Sequence, residues 1–432
     1  MADVLDYLAW RGDLTLIERP FNDVDNLILT MLSYLDFSGI VPGPVEGFVM
    51  LGDACLTLLE DTGGDVMQRV RSLVQFSPEF FDALAKTRRF RHLQLHDYVE
   101  AFDPDRALQF GALQIDVTPH ETYVSFRGTD NTLAGWREDF KLGFTVTDAQ
   151  TEAVSYLERA LIYASERGRR VYVGGHSKGG NLAVYATMSC PLELTDSIDL
   201  VWSNDGPGLA YEIMPYSPAA VLGERYRRIV PAYDMVGIIF EREDDPVFVT
   251  KSTATGALQH DPFSWQVTPF GFEEAPGLLP ESLLMRSAFA DWVNSIPLGG
   301  RADFVDQLFD ALGAGGAQTL DELAGSSRNR SAALGAMGDL DEYTRELLRK
   351  LVEILFVKTM GAAANAAQEA AQSALSAARD FVSELTRWAD SPSDSPQGIG
   401  RGRKGEKMGK LPEMTLGTNA EEPSSALPDA LQ

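Results

Sequence analysis

A layered α/β fold with a mainly parallel sheet is predicted by three features of this 432-residue sequence. Between residues 111 and 251, short runs of β-formers alternate with helix-length stretches, as strand–helix–strand units do. The first two runs, ALQIDV and TYVSFR, have Pro119-His120-Glu121 in the short gap between them and read as an antiparallel pair. Over residues 170–189 a strand, a cluster of glycines and a helix follow one another directly.

Taken in order, residues 1–110 read as mostly helical. Residues 24–35 place Leu27, Leu32 and Leu35 at helical spacing, and residues 76–91 fit a helix capped by Ser77 with Pro78 in its first turn. The core then opens with the antiparallel pair. A helix over 151–166, a strand over 170–173 and a helix over 181–189 follow, with further strands at 198–203, 226–231 and 247–251. The helical period returns at 281–294 and 301–312, and the Gly/Ser-rich residues 313–330 read as a linker. Residues 341–359 put Leu347, Leu351, Ile354 and Leu355 on one side. The Ala-rich residues 362–388 space Leu375, Phe381, Leu385 and Trp388 for packing. These two predict a helical hairpin, because an isolated Ala-rich helix buries little. Residues 391–432, rich in Ser, Pro and Gly without period, read as disordered; Arg401, Arg403, Lys404, Lys407 and Lys410 make a basic patch there. The expected plan is a helical N-terminal segment (1–110) packed on an α/β core (111–325), a C-terminal helical hairpin (326–390) and a tail (391–432).

Composition narrows the function. Thirty-seven basic against 63 acidic side chains give a net charge of −26, which argues against nucleic acid or an anionic membrane as a partner of the whole chain. Forty-four per cent hydrophobic and 23 % charged residues are ordinary for a globular protein. Two cysteines, Cys55 and Cys190, are too few for a disulfide framework or a cysteine zinc site. The acidic N-terminus lacks the pattern of a secretion signal, and no apolar run approaches a membrane span. A soluble, cytoplasmic protein is the expectation.

The chemistry centres on Gly175-His176-Ser177-Lys178-Gly179, a G-x-S-x-G between a strand and a helix. A tight turn lifts such a serine clear of the sheet, and small neighbours let strand and helix close up. The helix N-terminus then presents backbone N–H groups, with that of Lys178 placed to receive an oxyanion. The G-x4-G-K-[ST] spacing of a phosphate loop is absent. Serine needs a base, and in the α/β-hydrolase arrangement the chain order is Ser, acid, His. Of His92, His96, His120, His176 and His260, only His260 lies downstream of Ser177; the His176 side chain, beside the nucleophile, is expected to point elsewhere. His92 and His96, four apart, read as a solvated helix face rather than a metal pair. Two acids compete to orient His260. Asp234 follows the later strand and is preferred; Asp205, in an Asn-Asp-Gly turn, is the alternative. The loop Phe126-Arg127-Gly128-Thr129-Asp130 is placed to supply the second oxyanion donor, through the N–H and hydroxyl of Thr129, with Trp136 and Asp139 read as structural.

These residues carry a resemblance. Phe126-Arg127-Gly128-Thr129, Trp136-x-x-Asp139, the elbow, and Asp234-Met235-Val236 resemble segments of the class 3 (fungal-type) lipases. A bacterial hydrolase-like family known only as a domain of unknown function is closer still. Its features resemble Trp10-Arg11-Gly12-Asp13, Asp25-Asn26-Leu27-Ile28, the run from His176 to Ala183, Asn204-Asp205-Gly206-Pro207-Gly208, and the run from His260 to Trp265. Lys178 and the His-Asp-Pro of the histidine segment depart from the lipase pattern. The resemblance implies an α/β-hydrolase fold and a serine esterase or lipase-like hydrolase acting on an acyl ester or lipid. Ser177, Asp234 and His260 would be its triad, with Thr129 and Lys178 at the oxyanion and no metal or cofactor. The rival readings are an inactive hydrolase fold serving as a binding or scaffold protein, and a thioesterase or amidase. The C-terminal helices suggest a surface for a protein partner.

Overall fold

The pattern of apolar residues in the strands sets the architecture. In β5 (Arg170–His176), Val171 and Val173 face one way and Tyr172 the other, and both faces are packed, so the strand must lie inside a sheet covered on both sides. A computed structural model describes residues 1–350, apart from 45, 104, 105, 107, 131, 243 and 244. Its main sheet has eight strands in the order β1-β2-β3-β4-β5-β6-β7-β8, each beside its neighbour in sequence. β1 (Val49–Met50), β2 (Gln94–Asp103), β3 (Leu108–Thr118) and β4 (Glu121–Phe126) pair antiparallel. From β4 through β5, β6 (Ile198–Asn204), β7 (Tyr226–Pro231) and β8 (Phe248–Thr250) the pairing is parallel. A small ribbon joins β9 (Val267–Thr268) to β10 (Gly271–Phe272).

On one face lie α1 (Val4–Arg11), α2 (Asp23–Leu32), α3 (Leu51–Asp61) and α4 (Pro78–Lys86), in one core with Tyr123, Trp202 and Trp265. α1 and α2 are fixed by capping boxes in which Asp3 and Asn22 accept first-turn N–H groups. Ser77 caps α4 with extended backbone, but its side chain makes no cap bond. The other face is covered by α6 (Asp148–Glu166) and α7 (Lys178–Ser189), which follow α5 (Leu133–Lys141). Two short helices, α8 (Leu192–Thr195) and α9 (Pro218–Leu222), lie in the later connections. α10 (Pro280–Asn294), α11 (Leu298–Gly313), α12 (Leu320–Gly325) and α13 (Ser327–Gly338) come last. α10, α11 and α13 share with α5 a separate core that includes Leu133, Trp292, Phe304 and Met337.

Three expectations change. The first 110 residues are not only helical, because β2 enters the sheet at residue 94 and extends it past the predicted antiparallel pair. The expected linker at 313–330 is largely helical, occupied by α12 and the start of α13. His92 and His96 do not share a helix: His96 is buried in β2, 3.3 Å from Asp116 and packed on Tyr163. Residues 342–350 are helical, whereas the rest of the expected hairpin, the tail and its basic patch lie outside the described residues. Among the described residues no helix is long and apolar enough to cross a membrane.

The parallel register brings functional positions to one edge. His176 pairs with Asn204, and Asn204 with Ile229, so the residues leaving β5, β6 and β7 emerge together at the C-terminal edge. That edge is where ligands of open α/β sheets bind. The sheet order and the flanking helices make this an α/β-hydrolase fold.

Candidate active site

β5 ends in a turn that only small neighbours permit. Ser177 has φ 57° and ψ −130°, a region that L-residues rarely occupy, between β5 and the first turn of α7. A Cβ on Gly175 would stand 2.1 Å from the Gly179 carbonyl carbon, and one on Gly179 2.2 Å from the Phe126 oxygen. Both positions must therefore be glycine. The turn is pinned by the Ser177 N–H donating to the Asn204 oxygen at 3.0 Å. The Ser177 side chain is part-exposed and lines a cavity of about 210 Å³ that His260 also lines. Among the described residues its hydroxyl has no hydrogen-bond partner.

His260 closes a short helical turn, Gly256–His260, after β8. Its Nδ1 lies 2.6 Å from Oδ2 of Asp205, a carboxylate with no solvent exposure. Asp205 itself sits at φ 48°, a left-handed position that aspartate tolerates better than most residues, with its N–H donating to the Ile229 oxygen at 2.7 Å. Its Oδ1 accepts the Gly237 N–H at 3.2 Å. Burial pushes the Asp205 carboxyl up, but the charge and hydrogen bond of His260, with a hydrogen bond from Asp234, outweigh it and leave it below the usual carboxylate range.

The preference for Asp234 over Asp205 is therefore corrected. Asp234 follows β7, yet it is turned into the protein beside Arg228, with Oδ1 accepting the Ile238 N–H at 3.3 Å, and it hydrogen-bonds Asp205 rather than His260. Burial and then the Asp205 charge push its carboxyl well above the ordinary range. Both acids leave adjacent strands at the same edge; the left-handed turn at Asp205 is what aims that carboxylate at the histidine.

His176 does not point away, as expected from its place in the elbow. Its ring lies 4.6 Å from that of His260. Its Nε2 is 2.9 Å from the His260 backbone oxygen, an atom that only accepts, so Nε2 carries the proton. Nδ1 then accepts the Tyr34 hydroxyl at 2.8 Å. Burial, reinforced by His260, pushes the His176 pKa down to about 3, so the ring stays neutral and acts as a strut for the His260 loop. Tyr34 was not among the sequence candidates. Its only sequence trace is a glycine opposite it: a Cβ on Gly128 would lie 2.2 Å from its hydroxyl.

The Lys178 N–H stands in the first turn of α7, where backbone donors have no intrahelical acceptor. Its side chain is withdrawn, buried with Nζ 2.8 Å from Glu138 and 2.7 Å from the Gln109 oxygen. Thr129 lines the cavity, but its hydroxyl donates to Asp139. Asp139 is more than structural filler: burial pushes its pKa up to about 7, against the pull of Lys178 and Thr129. The rest of the cavity wall is mostly apolar, with Phe140, Met235, Phe289, Trp292 and Phe304 among its members, although Ser72, Asp130 and Arg301 also line it. Among the described residues no cluster of three or more His, Cys, Asp or Glu could hold a metal.

Comparison with known proteins gives one family. The family model described as Mbeg1-like matches residues 84–310. No curated protein matches the chain. Solved structures similar to it include that of M37 lipase, 15 % identical over 50 % of this chain and 70 % of that one, with a TM-score of 0.32. The Rhizomucor miehei lipase propeptide complex is 15 % identical over 53 % and 67 % of the two chains, with a TM-score of 0.32. A fungal lipase–inhibitor complex is 15 % identical over 57 % and 79 %, again with a TM-score of 0.32.

Proposed function

The chain belongs to the Mbeg1-like family, and we propose that it is a serine hydrolase that cleaves an acyl ester through Ser177, His260 and Asp205. The observation that carries this reading is a serine in a strained strand-to-helix turn, facing the same cavity as a histidine whose Nδ1 is held by a buried carboxylate. Asp205 fixes the tautomer that leaves Nε2 of His260 free to accept a proton. Ser177 Oγ then attacks the ester carbonyl as His260 takes its proton, and the backbone N–H groups of Lys178 and Thr129 receive the oxyanion. His260 returns the proton to the leaving alcohol, and water repeats the sequence on the acyl-enzyme. Each oxyanion donor contributes on the order of 10²–10³ in kcat in comparable enzymes.

The apolar wall supports a hydrocarbon acyl group over a polar one. The cavity of about 210 Å³ exceeds the roughly 150 Å³ that holds a benzene in an apolar core, which supports short to medium acyl chains. Two buried free thiols, Cys55 and Cys190, support a reducing, cytoplasmic setting. A panel of p-nitrophenyl esters of graded chain length, run beside matched thioesters and anilides, tests the reading. Preference for esters with kcat/KM rising with chain length and then falling is expected; no turnover of any acyl substrate would refute it.

A further inference from the structure

We propose that Asp234 is a positioning residue of this site: as a neutral carboxylic acid it donates its proton to Asp205, and so keeps the Asp205 carboxylate charged and turned onto Nδ1 of His260. The inference rests on the hydrolase reading only for its catalytic consequence. The two carboxyls are packed together under a residue without a side chain. A Cβ on Gly237 would lie 2.8 Å from Oδ2 of Asp234 and 3.0 Å from Oδ1 of Asp205. Neither acid has solvent exposure.

The hydrogen bonds leave one arrangement. Oδ1 of Asp205 accepts from Gly237 N–H and Oδ2 faces His260 Nδ1; Oδ1 of Asp234 accepts from Ile238 N–H. Oδ2 of Asp234 is the buried oxygen without a donor. Arg228 does not supply one: its Nη2 is 3.8 Å away and is engaged by the Gly237 oxygen at 2.8 Å and Glu241 at 2.6 Å. A proton on Oδ2 of Asp234, shared toward Asp205, turns that orphan into a donor and removes the repulsion between two buried carboxylates. The proton belongs on Asp234 because Asp205 faces the histidine N–H. The other charged or titratable groups around the pair are His176 from β5, Tyr34 behind it, Arg228 from β7, and Glu241, which Arg286 of α10 also binds.

Two replacements separate positioning from mere filling. Asp234→Asn keeps an N–H donor in the same place but cannot titrate; Asp234→Ala removes the donor. With p-nitrophenyl butyrate as probe, Asp234→Ala is expected to lose roughly tenfold to a hundredfold in kcat, the size of one hydrogen bond to a charged group, with little change in KM. Asp234→Asn should recover most of that loss. It should also lack the fall in activity expected of the parent as pH rises and Asp234 ionises and ceases to donate. Equal losses in the two variants, or a parent pH profile preserved in Asp234→Asn, would overturn the proposal. An infrared measurement is independent of turnover: the parent at neutral pH should show the carbonyl stretch of a buried protonated carboxyl, absent from Asp234→Asn. If that band is missing, the proposal fails whatever the activity. If the band is present and no acyl substrate is turned over, the hydrolase reading fails while the shared proton stands.

Discussion

Replacing Asp205 by Asn is the sharpest perturbation of the histidine. The Gly237 N–H donates to Oδ1 of Asp205 at 3.2 Å, so in Asp205→Asn the amide oxygen is drawn to that donor. The amide nitrogen then faces His260 Nδ1 at the 2.6 Å contact now made by Oδ2. An N–H aimed at Nδ1 forces Nδ1 to accept, which moves the ring proton to Nε2. That tautomer cannot take the Ser177 proton. Comparable swaps cost on the order of 10⁴ in kcat, or about 5 kcal/mol of transition-state stabilisation at 1.36 kcal/mol per decade. The shape is nearly kept, so the melting temperature should move little. Steady-state hydrolysis of p-nitrophenyl butyrate, with a melting curve on the same preparation, reads both quantities. An Asp205→Asn variant that keeps kcat within tenfold of the parent would show that Asp205 does not set the tautomer.

Other consequences follow from single contacts. Gly179→Ala forces a Cβ to 2.2 Å from the Phe126 oxygen, a backbone atom, so it should destabilise by at least about 1–3 kcal/mol and abolish turnover, read by thermal melting and ester hydrolysis. Tyr34→Phe leaves buried Nδ1 of His176 without its donor at 2.8 Å; a loss of about 1–3 kcal/mol in stability is expected by urea denaturation, and no loss would show that the strut is idle. Asp139, raised to about 7 in the fold against about 3.9 in the unfolded chain, binds more protons folded than unfolded between those values, so its contribution to stability is lost as pH rises through about 4 to 7. The melting-temperature difference between Asp139→Asn and the parent should therefore grow in favour of the variant from pH 5 to pH 8, and a difference independent of pH would remove Asp139 from that role.

The parts of this molecule written in local pattern were legible in the sequence. β7 at 226–231, the antiparallel pair β3–β4 and the elbow all follow from alternation, turn residues and glycine spacing. β2 was missed because a register shift between His96 and Val99 breaks its alternation, and its polar residues mask its burial. α13 was missed because its Gly, Ser and Asn residues are weak helix formers; packing of Ala333 and Met337 in the core shared with α5, α10 and α11 stabilises it. The strand-to-helix turn at Ser177 and a downstream His260 lining the same cavity were legible from glycine spacing and chain order. Which of the two acids meets His260 was not, because β6 and β7 deliver Asp205 and Asp234 to one edge and a single left-handed residue decides between them. The struts Tyr34 and His176 stand 142 positions apart in the chain and meet only in the folded protein.

Covalent labelling tests the central claim most directly. The parent is incubated with a fluorophosphonate probe, and the modified peptide is mapped by mass spectrometry beside Ser177→Ala. Serine and alanine share a Cβ, so the turn at φ 57° is kept and the variant should fold as the parent does. The account predicts one adduct, on Ser177, absent from Ser177→Ala and formed far more slowly in Asp205→Asn. Labelling that persists in folded Ser177→Ala, or a parent left unmodified, would contradict it.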